Sequence, residues 1–280
     1  MSNASSSLNT LASAAKASAI ALYARPSASY AAKHAQAEAL LRRAAALGDV
    51  TQANSLGVED MVITDMIRRL QLPIGVFVLE TGRLHTETLA LLERTQALVG
   101  INVQVFRPQH EAVIHFIRTQ GQDAIYDSVA QRKHCCDIRK MEPLARALAG
   151  KKAWITGLRR EQSNARAEVP PVDTSEVATK GLSKFNPLAD WTQGDVWHYV
   201  LENRVDYNPL HDQFYPSIGC APCTRAITLG EDFRAGRWWW EDEAAKECGL
   251  HVKAPNSAAP VFHPLPQGTR DSNLAQEAQS

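Results

Sequence analysis

The sequence predicts an α/β protein built on a doubly wound, mostly parallel sheet. Short apolar runs alternate with stretches of helical periodicity between residues 50 and 118. One run, residues 74–79, is continuously apolar, which suits a strand buried on both faces. Only a few residues join each run to the next helix, as in consecutive βαβ units.

The elements follow in order. Residues 31–47 are rich in Ala and Leu with charges spaced along them, a helix closed by Gly48. Residues 50–53 form a first strand. The turn Asn54-Ser55-Leu56-Gly57-Val58-Glu59-Asp60 leads into Met61, Val62, Ile63, Met66, Ile67 and Leu70 at helical spacing. Such a turn can present backbone N–H groups to an anion, and it also suits an ordinary βα loop. Thr81-Gly82 breaks the strand at 74–79, a helix covers 86–99, a third strand 102–106 and a helix 110–118. Ser55, Gly57 and the turn at Thr81, Gly82 and Arg83 then lie at the carboxyl edge, where ligands of doubly wound sheets sit. Cys135 and Cys136 open another helix with Ile138, Met141, Leu144 and Leu148 on its apolar side. Arg139 and Lys140 each follow a cysteine by four residues, which stacks a cation near each sulfur. Residues 154–158 give a fourth strand, followed by Arg159-Arg160. Residues 169–172 read as loop, and Thr192 caps a helix over 195–201. Residues 1–30 are expected to form a disordered or weakly helical tail, 31–240 the folded domain, 241–252 a short further segment, and 253–280 a disordered tail rich in Pro, Ser, Gln and Ala.

Composition excludes several classes. Lys+Arg and Asp+Glu both total 30, so overall charge favours neither nucleic acid nor an anionic membrane. Any anion site must come from local cations. No apolar run approaches the roughly 20 residues of a membrane span, and a cytoplasmic location is expected. A homo-oligomer is compatible with the sequence, which does not fix the number of copies. The five cysteines are too few and too clustered for a secreted disulfide scaffold, and their pairing favours metal binding or catalysis.

Four cysteines come as Cys135-Cys136 and Cys220-Ala221-Pro222-Cys223. Four thiolates select zinc or an iron–sulfur cluster. Structural zinc is usually held by two Cys-x-x-Cys knuckles. Adjacent side chains diverge, so Cys135 and Cys136 would reach one small ion only with strain, whereas a cluster spreads its ligands further apart. A cluster is the first reading, zinc the second, and a redox dithiol at Cys220/Cys223 the third. The fifth cysteine, Cys248, lies near the end of a short helix over 241–247, where the helix dipole disfavours a thiolate. As a nucleophile it needs cations from elsewhere, and Arg234, Arg237, Lys140 and His251 are the candidates. A surface cysteine without function is the alternative; the cations and aromatics in the preceding positions weigh against it. Trp238, Trp239 and Trp240 read as packing.

With these residues together, the chain resembles the assimilatory adenylyl-sulfate (APS) reductases, the iron–sulfur branch of the phosphoadenylyl-sulfate (PAPS) reductase family. The segments that carry the resemblance are Ser55-Leu56-Gly57-Val58-Glu59-Asp60, Leu79-Glu80-Thr81-Gly82-Arg83-Leu84, Lys133-His134-Cys135-Cys136, Thr156-Gly157-Leu158-Arg159-Arg160 and Asn186-Pro187-Leu188-Ala189-Asp190-Trp191. The most specific run from Tyr207-Asn208-Pro209-Leu210 through Gly219-Cys220-Ala221-Pro222-Cys223 to Lys246-Glu247-Cys248-Gly249-Leu250-His251. The resemblance covers roughly residues 30–252. It implies an adenine-nucleotide α-hydrolase-like sheet and a [4Fe-4S] cluster on Cys135, Cys136, Cys220 and Cys223. It implies Cys248 as the nucleophile on a mobile C-terminal segment, and Lys140, Arg234 and Arg237 as phosphosulfate contacts. Ser55, Gly57, Thr81 and Gly82 match the nucleotide-binding edge, with Arg159, Arg160 and His251 as further candidates. The implied reaction forms sulfite and AMP from APS, with thioredoxin as electron donor. No thioredoxin-like segment follows Cys248, so a separate reductant is expected.

Three rivals stand beside this expectation. PAPS in place of APS is the nearest, although PAPS-specific relatives usually lack the cluster cysteines. An ATP pyrophosphatase of the related sheet would carry a Ser-Gly-Gly-x-Asp-Ser turn, which is absent here. A non-enzymatic iron–sulfur sensor would have no need of Cys248.

Overall fold

The computed structural model describes residues 18–228 and 230–241. Its elements are α1 (Ala19–Tyr23), α2 (Tyr30–Ala45), β1 (Val50–Ala53), α3 (Val58–Arg69), β2 (Gly75–Leu79), α4 (Thr86–Gln96), β3 (Val103–Phe106), α5 (His110–Gln120), α6 (Val129–Cys136), α7 (Glu142–Leu148), β4 (Ala153–Ile155), β5 (Val172–Asp173), α8 (Val177–Lys180), β6 (Ser183–Phe185) and α9 (Gln193–Asn203). The six strands form one sheet in the order β3-β2-β1-β4-β6-β5. Every pairing is parallel except that of β5 with β6. The doubly wound, mostly parallel sheet expected from the sequence is present.

Hydrophobic burial holds the layers together. Val62, Ile63, Met66 and Ile67 of α3 bury against Val50 and Ile155 of the sheet and against Trp191, Val196 and Val200 from the α9 side. On the other sheet face, Phe77 and Trp154 pack on Leu144 and Ala147 of α7. Each fully buried side chain of this size contributes about 1.5–3 kcal/mol.

The amino-terminal boundary lies earlier than residue 31. Ala19 of α1 is fully buried and α1 packs on α9. Asp195 ties this region down, because its carboxylate accepts from Lys33 Nζ at 2.8 Å and from the Ser27 N–H at 2.7 Å. It also closes the α9 capping box with Thr192, the expected cap residue.

Two strands were not visible as such in the sequence. The expected loop at 169–172 ends in β5, and β6 occupies a stretch with no apolar run. The cysteine helix also differs from expectation. Cys135 and Cys136 close α6 instead of opening a helix, and a π-helical turn, Asp137–Met141, joins α6 to α7. Ser128 caps α6 by accepting from the Gln131 N–H, and the polar surface of this helix gave no periodic signal.

Candidate active site

In the strand order, β1 leads to β2 on one side while β4 lies on its other side. Their carboxyl ends therefore diverge and leave a crevice, the usual ligand position in such sheets. A cavity of about 190 Å³ occupies it. Its walls include Ser55 and Gly57 after β1, Thr81 after β2, and Thr156 and Gly157 after β4.

The loop after β1 is shaped by its own side chains. Leu56 sits in the left-handed region at φ 64°, costly for a branched-chain residue. Asn54 Oδ1 accepts its N–H at 2.6 Å and its side chain is fully buried, which offsets that strain. Gly57 is the extended N-cap of α3. Asp60, in the first turn, bridges two loops: Oδ2 accepts from Ser55 N–H (2.8 Å) and Oγ (2.6 Å), and Oδ1 accepts from Gly157 N–H at 2.9 Å. A Cβ at Gly157 would stand 2.5 Å from Asp60 Oδ1, so glycine is required for this approach. Burial pushes the Asp60 carboxyl up to about 6, and the Ser55 and Gly157 donors pull against that rise. The carboxylate borders the open cavity and is only partly buried, so water moderates the effect.

Behind this loop lies a buried polar set. Glu59 Oε1 accepts from Arg159 Nη2 and Nε at 3.0 Å and from Gln162 Nε2 at 2.9 Å. Burial favours the neutral acid, but Arg159 and Gln162 outweigh it and hold the Glu59 carboxyl below its ordinary range. Arg159 also donates to Glu161 at 2.8 Å and to the Trp191 carbonyl at 3.2 Å. It does not line the cavity. Its expected part in anion binding is replaced by a brace between α3 and the segments after β4 and before α9. Arg160 points elsewhere, onto Asp190 and the Val169 carbonyl.

The cations Lys140, Arg234 and Arg237 all line the cavity. Arg237 reaches Ser217 Oγ at 3.3 Å, and its guanidinium stacks 4.7 Å from the ring centre of fully buried Trp238. Its Nε has no hydrogen-bond partner among the described residues. Gly219 lies directly against this guanidinium, where any Cβ would collide with it.

The cysteines adjoin this cationic wall. Cys135, Cys220 and Cys223 share one buried apolar cluster with Phe116, Ile125 and Trp238. Cys136, half-buried, completes the last turn of α6. Thr81 Oγ1 lies 3.3 Å from Cys220 Sγ, and Thr81 O accepts from Arg139 Nη1 at 2.6 Å. Gly82 (φ 71°) does not itself line the cavity, and its N–H is bonded to Glu80. Burial, then the neighbouring Cys220 sulfur, pushes Cys223 up to about 11, against the pull of Lys140 and Arg237. Burial likewise raises Cys135, against the charge of Arg139. Arg139 acts on Cys135, as its spacing predicts, and Lys140 also acts on Cys223. None of these four cysteines is in a disulfide, and among the described residues no three His, Cys, Asp or Glu side chains are gathered as ligands of one metal ion.

Cys248, His251 and the segment 241–252 beyond Glu241 lie outside the described residues. Sequence reasoning passed over two others. Arg166 lines the cavity and donates to Gln162 Oε1 at 2.6 Å. His211 is buried in the wall, and among the described residues neither ring nitrogen has a partner at hydrogen-bond geometry. Burial lowers its pKa, against the pull of Glu59. Its place directly after Asn208-Pro209-Leu210, a segment already singled out, was the available signal. Among the described residues no helix is long and apolar enough to cross a membrane.

Residues 49–226 match the phosphoadenosine phosphosulfate reductase domain. Adenosine 5'-phosphosulfate reductase of Allochromatium vinosum is 52% identical over 226 residues, 81% of this chain and 88% of its own. The Burkholderia cepacia enzyme of that name is 52% identical over 223 residues, 79% of this chain and 88% of its own. The crystal structure of PAPS reductase from Candida auris, a phosphate complex, superposes with a TM-score of 0.57 at 27% identity, covering 69% of this chain and 90% of that one. On the match to residues 49–226 and these identities, the chain belongs to the phosphoadenosine phosphosulfate reductase family.

Proposed function

We propose that the protein reduces adenosine 5'-phosphosulfate to sulfite and AMP in sulfate assimilation, with Cys248 as nucleophile and a thioredoxin-type dithiol as reductant. The observation that carries this reading is the wall where Lys140, Arg234 and Arg237 meet beside Cys220, at the edge of a doubly wound sheet. The names of the relatives, adenosine 5'-phosphosulfate reductase, support the substrate.

The chemistry needs such a wall. The Cys248 thiolate attacks the sulfur of the sulfate, an S–S bond forms, and the S–O bond to the phosphate breaks as AMP leaves with the electron pair. Two anions meet in that step, so cations placed at the phosphosulfate stabilise the transition state. A thiolate of the dithiol then attacks the Cys248 sulfur and expels sulfite. The second thiol closes the disulfide and releases Cys248, so the dithiol supplies both electrons.

A [4Fe-4S] cluster is the cofactor of this reading, and the donor set suits it. Three buried sulfurs close enough to shift one another's ionisation share an apolar pocket, with Cys136 in the same helical turn as Cys135. When bound, the cluster would supply a rigid link between α6 and the Cys220–Cys223 turn, next to the anion wall. A cytoplasmic setting follows from the need to keep five thiols reduced.

Turnover of APS and PAPS at equal concentration tests the substrate. Faster sulfite release from APS is expected, and equal or faster use of PAPS overturns the assignment. Arg237→Ala is expected to lower kcat/KM for APS by roughly 10²-fold, as removal of one charge-stabilising donor does, with the visible absorbance of the cluster unchanged.

A further inference from the structure

The last described residues of the chain are pinned from three directions. Arg132 of α6 grips Glu241 in a forked pair, Nε to Oε1 at 2.9 Å and Nη2 to Oε2 at 2.7 Å. Both side chains are almost wholly buried, at 1% and 3% exposure. The same guanidinium stacks 4.6 Å from the ring centre of Trp238. Trp240 meets Tyr126 edge-on at 4.6 Å, and Tyr126 in turn donates to the Pro222 carbonyl at 3.0 Å, inside the Cys220–Cys223 turn.

The sequence positions of the pair give this contact its meaning. Arg132 precedes Cys135 by three residues, one helical turn, and Glu241 precedes Cys248 by seven (248 minus 241). A fully extended chain spans at most about 3.3–3.6 Å per residue, so Cys248 stays within roughly 25 Å of Glu241. A buried ion pair is costly unless its geometry is good, and a bidentate fork is the geometry that fixes direction as well as distance.

We propose that Arg132 and Glu241 are positioning residues for the reaction: their pair fixes the point and direction from which the chain carrying Cys248 leaves the domain, against the helix that ends in Cys135 and Cys136. The proposal rests on the reading of Cys248 as the nucleophile. Neither residue lines the cavity, and Arg132 reaches its wall only through the Trp238 ring.

The test uses the cluster-loaded protein with Glu241→Gln, which removes the charge, and Arg132→Lys, which keeps the charge and loses the fork. APS is mixed with protein in the absence of reductant, and S-sulfonate on Cys248 is followed by intact and peptide mass. AMP affinity, cluster absorbance and cooperative unfolding are measured on the same samples. Both variants are expected to form the S-sulfonate at least about 10-fold more slowly, the scale on which small misplacement of a reacting group acts. AMP affinity is expected to stay within about twofold and the cluster absorbance to stay intact, since only the approach of the nucleophile changes. A charge-swapped Arg132→Glu/Glu241→Arg variant is expected to regain part of the rate. An unchanged rate in Glu241→Gln overturns the proposal. So does a parallel loss of AMP affinity, cluster absorbance or cooperative unfolding in both variants, which would make the pair ordinary scaffold. Absence of any S-sulfonate in the unaltered protein overturns the Cys248 reading itself, and the positioning role with it.

Discussion

Cys248→Ser is expected to lower sulfite release from APS by at least roughly 10³-fold while the protein keeps its brown colour, since removing a covalent nucleophile leaves only the catalysis due to binding and charge. The serine hydroxyl is a far weaker nucleophile at neutral pH than a thiolate. A sulfate ester on serine would also offer a dithiol no S–S bond to exchange. Steady-state sulfite release, cluster absorbance and the mass of the APS-treated protein together check the prediction. Full activity in the variant would sink the mechanism, and loss of colour would assign Cys248 to the cluster.

The second large effect concerns stability. Arg159→Met should destabilise the fold by about 3–5 kcal/mol, the usual cost of stranding one member of a buried ion pair. The stranded group is Glu59, 8% exposed, whose carboxylate has Arg159 and Gln162 as its partners. Denaturant unfolding measures the loss. Adding Glu59→Gln should return part of it, because the leftover charge is then gone. AMP affinity in the folded protein should change little, which separates a brace from an anion contact. The depressed Glu59 carboxyl adds a pH signature. Its folded pKa lies below its unfolded one, so its contribution is present above about pH 4 and fades as pH falls through the acid range.

Arg159 also marks where the sequence stops being informative. Its neighbours Thr156, Gly157 and Leu158 announce a strand end at the ligand edge, and a basic pair there invites an anion. What decides its role is Glu59, 100 residues earlier (159 minus 59), and no local pattern records that pairing. β2 was legible because a continuous apolar run between breakers has few other uses, β3 because its residues alternate, and β1 from its place before the turn at Gly57. β6 was not, since Ser183-Lys184-Phe185 buries only Phe185 and depends for its strand form on pairing with β4. The meeting of Cys135 with Cys220 and Cys223 was legible by residue type alone. Its helix was misplaced because α6 is held by Ser128 and by tertiary contacts and has no apolar stripe of its own. His211 escaped for the opposite reason, since one histidine behind a proline is unremarkable until its surroundings are known.

The cysteine pairs carry one more consequence, for the order in which the molecule is made. Cys135 and Cys220 are 85 positions apart (220 minus 135), and β4, β5, β6 and α9 all lie between them. A cofactor gripping both pairs closes that loop as a disulfide would. Chain entropy values such a closure at roughly 4–5 kcal/mol, by restricting the unfolded chain. The closure cannot precede synthesis of residue 223, by which point every strand of the sheet has already emerged. A cofactor held by all four would therefore be loaded only once every described strand has been made, and would tie the Cys220–Cys223 turn to α6.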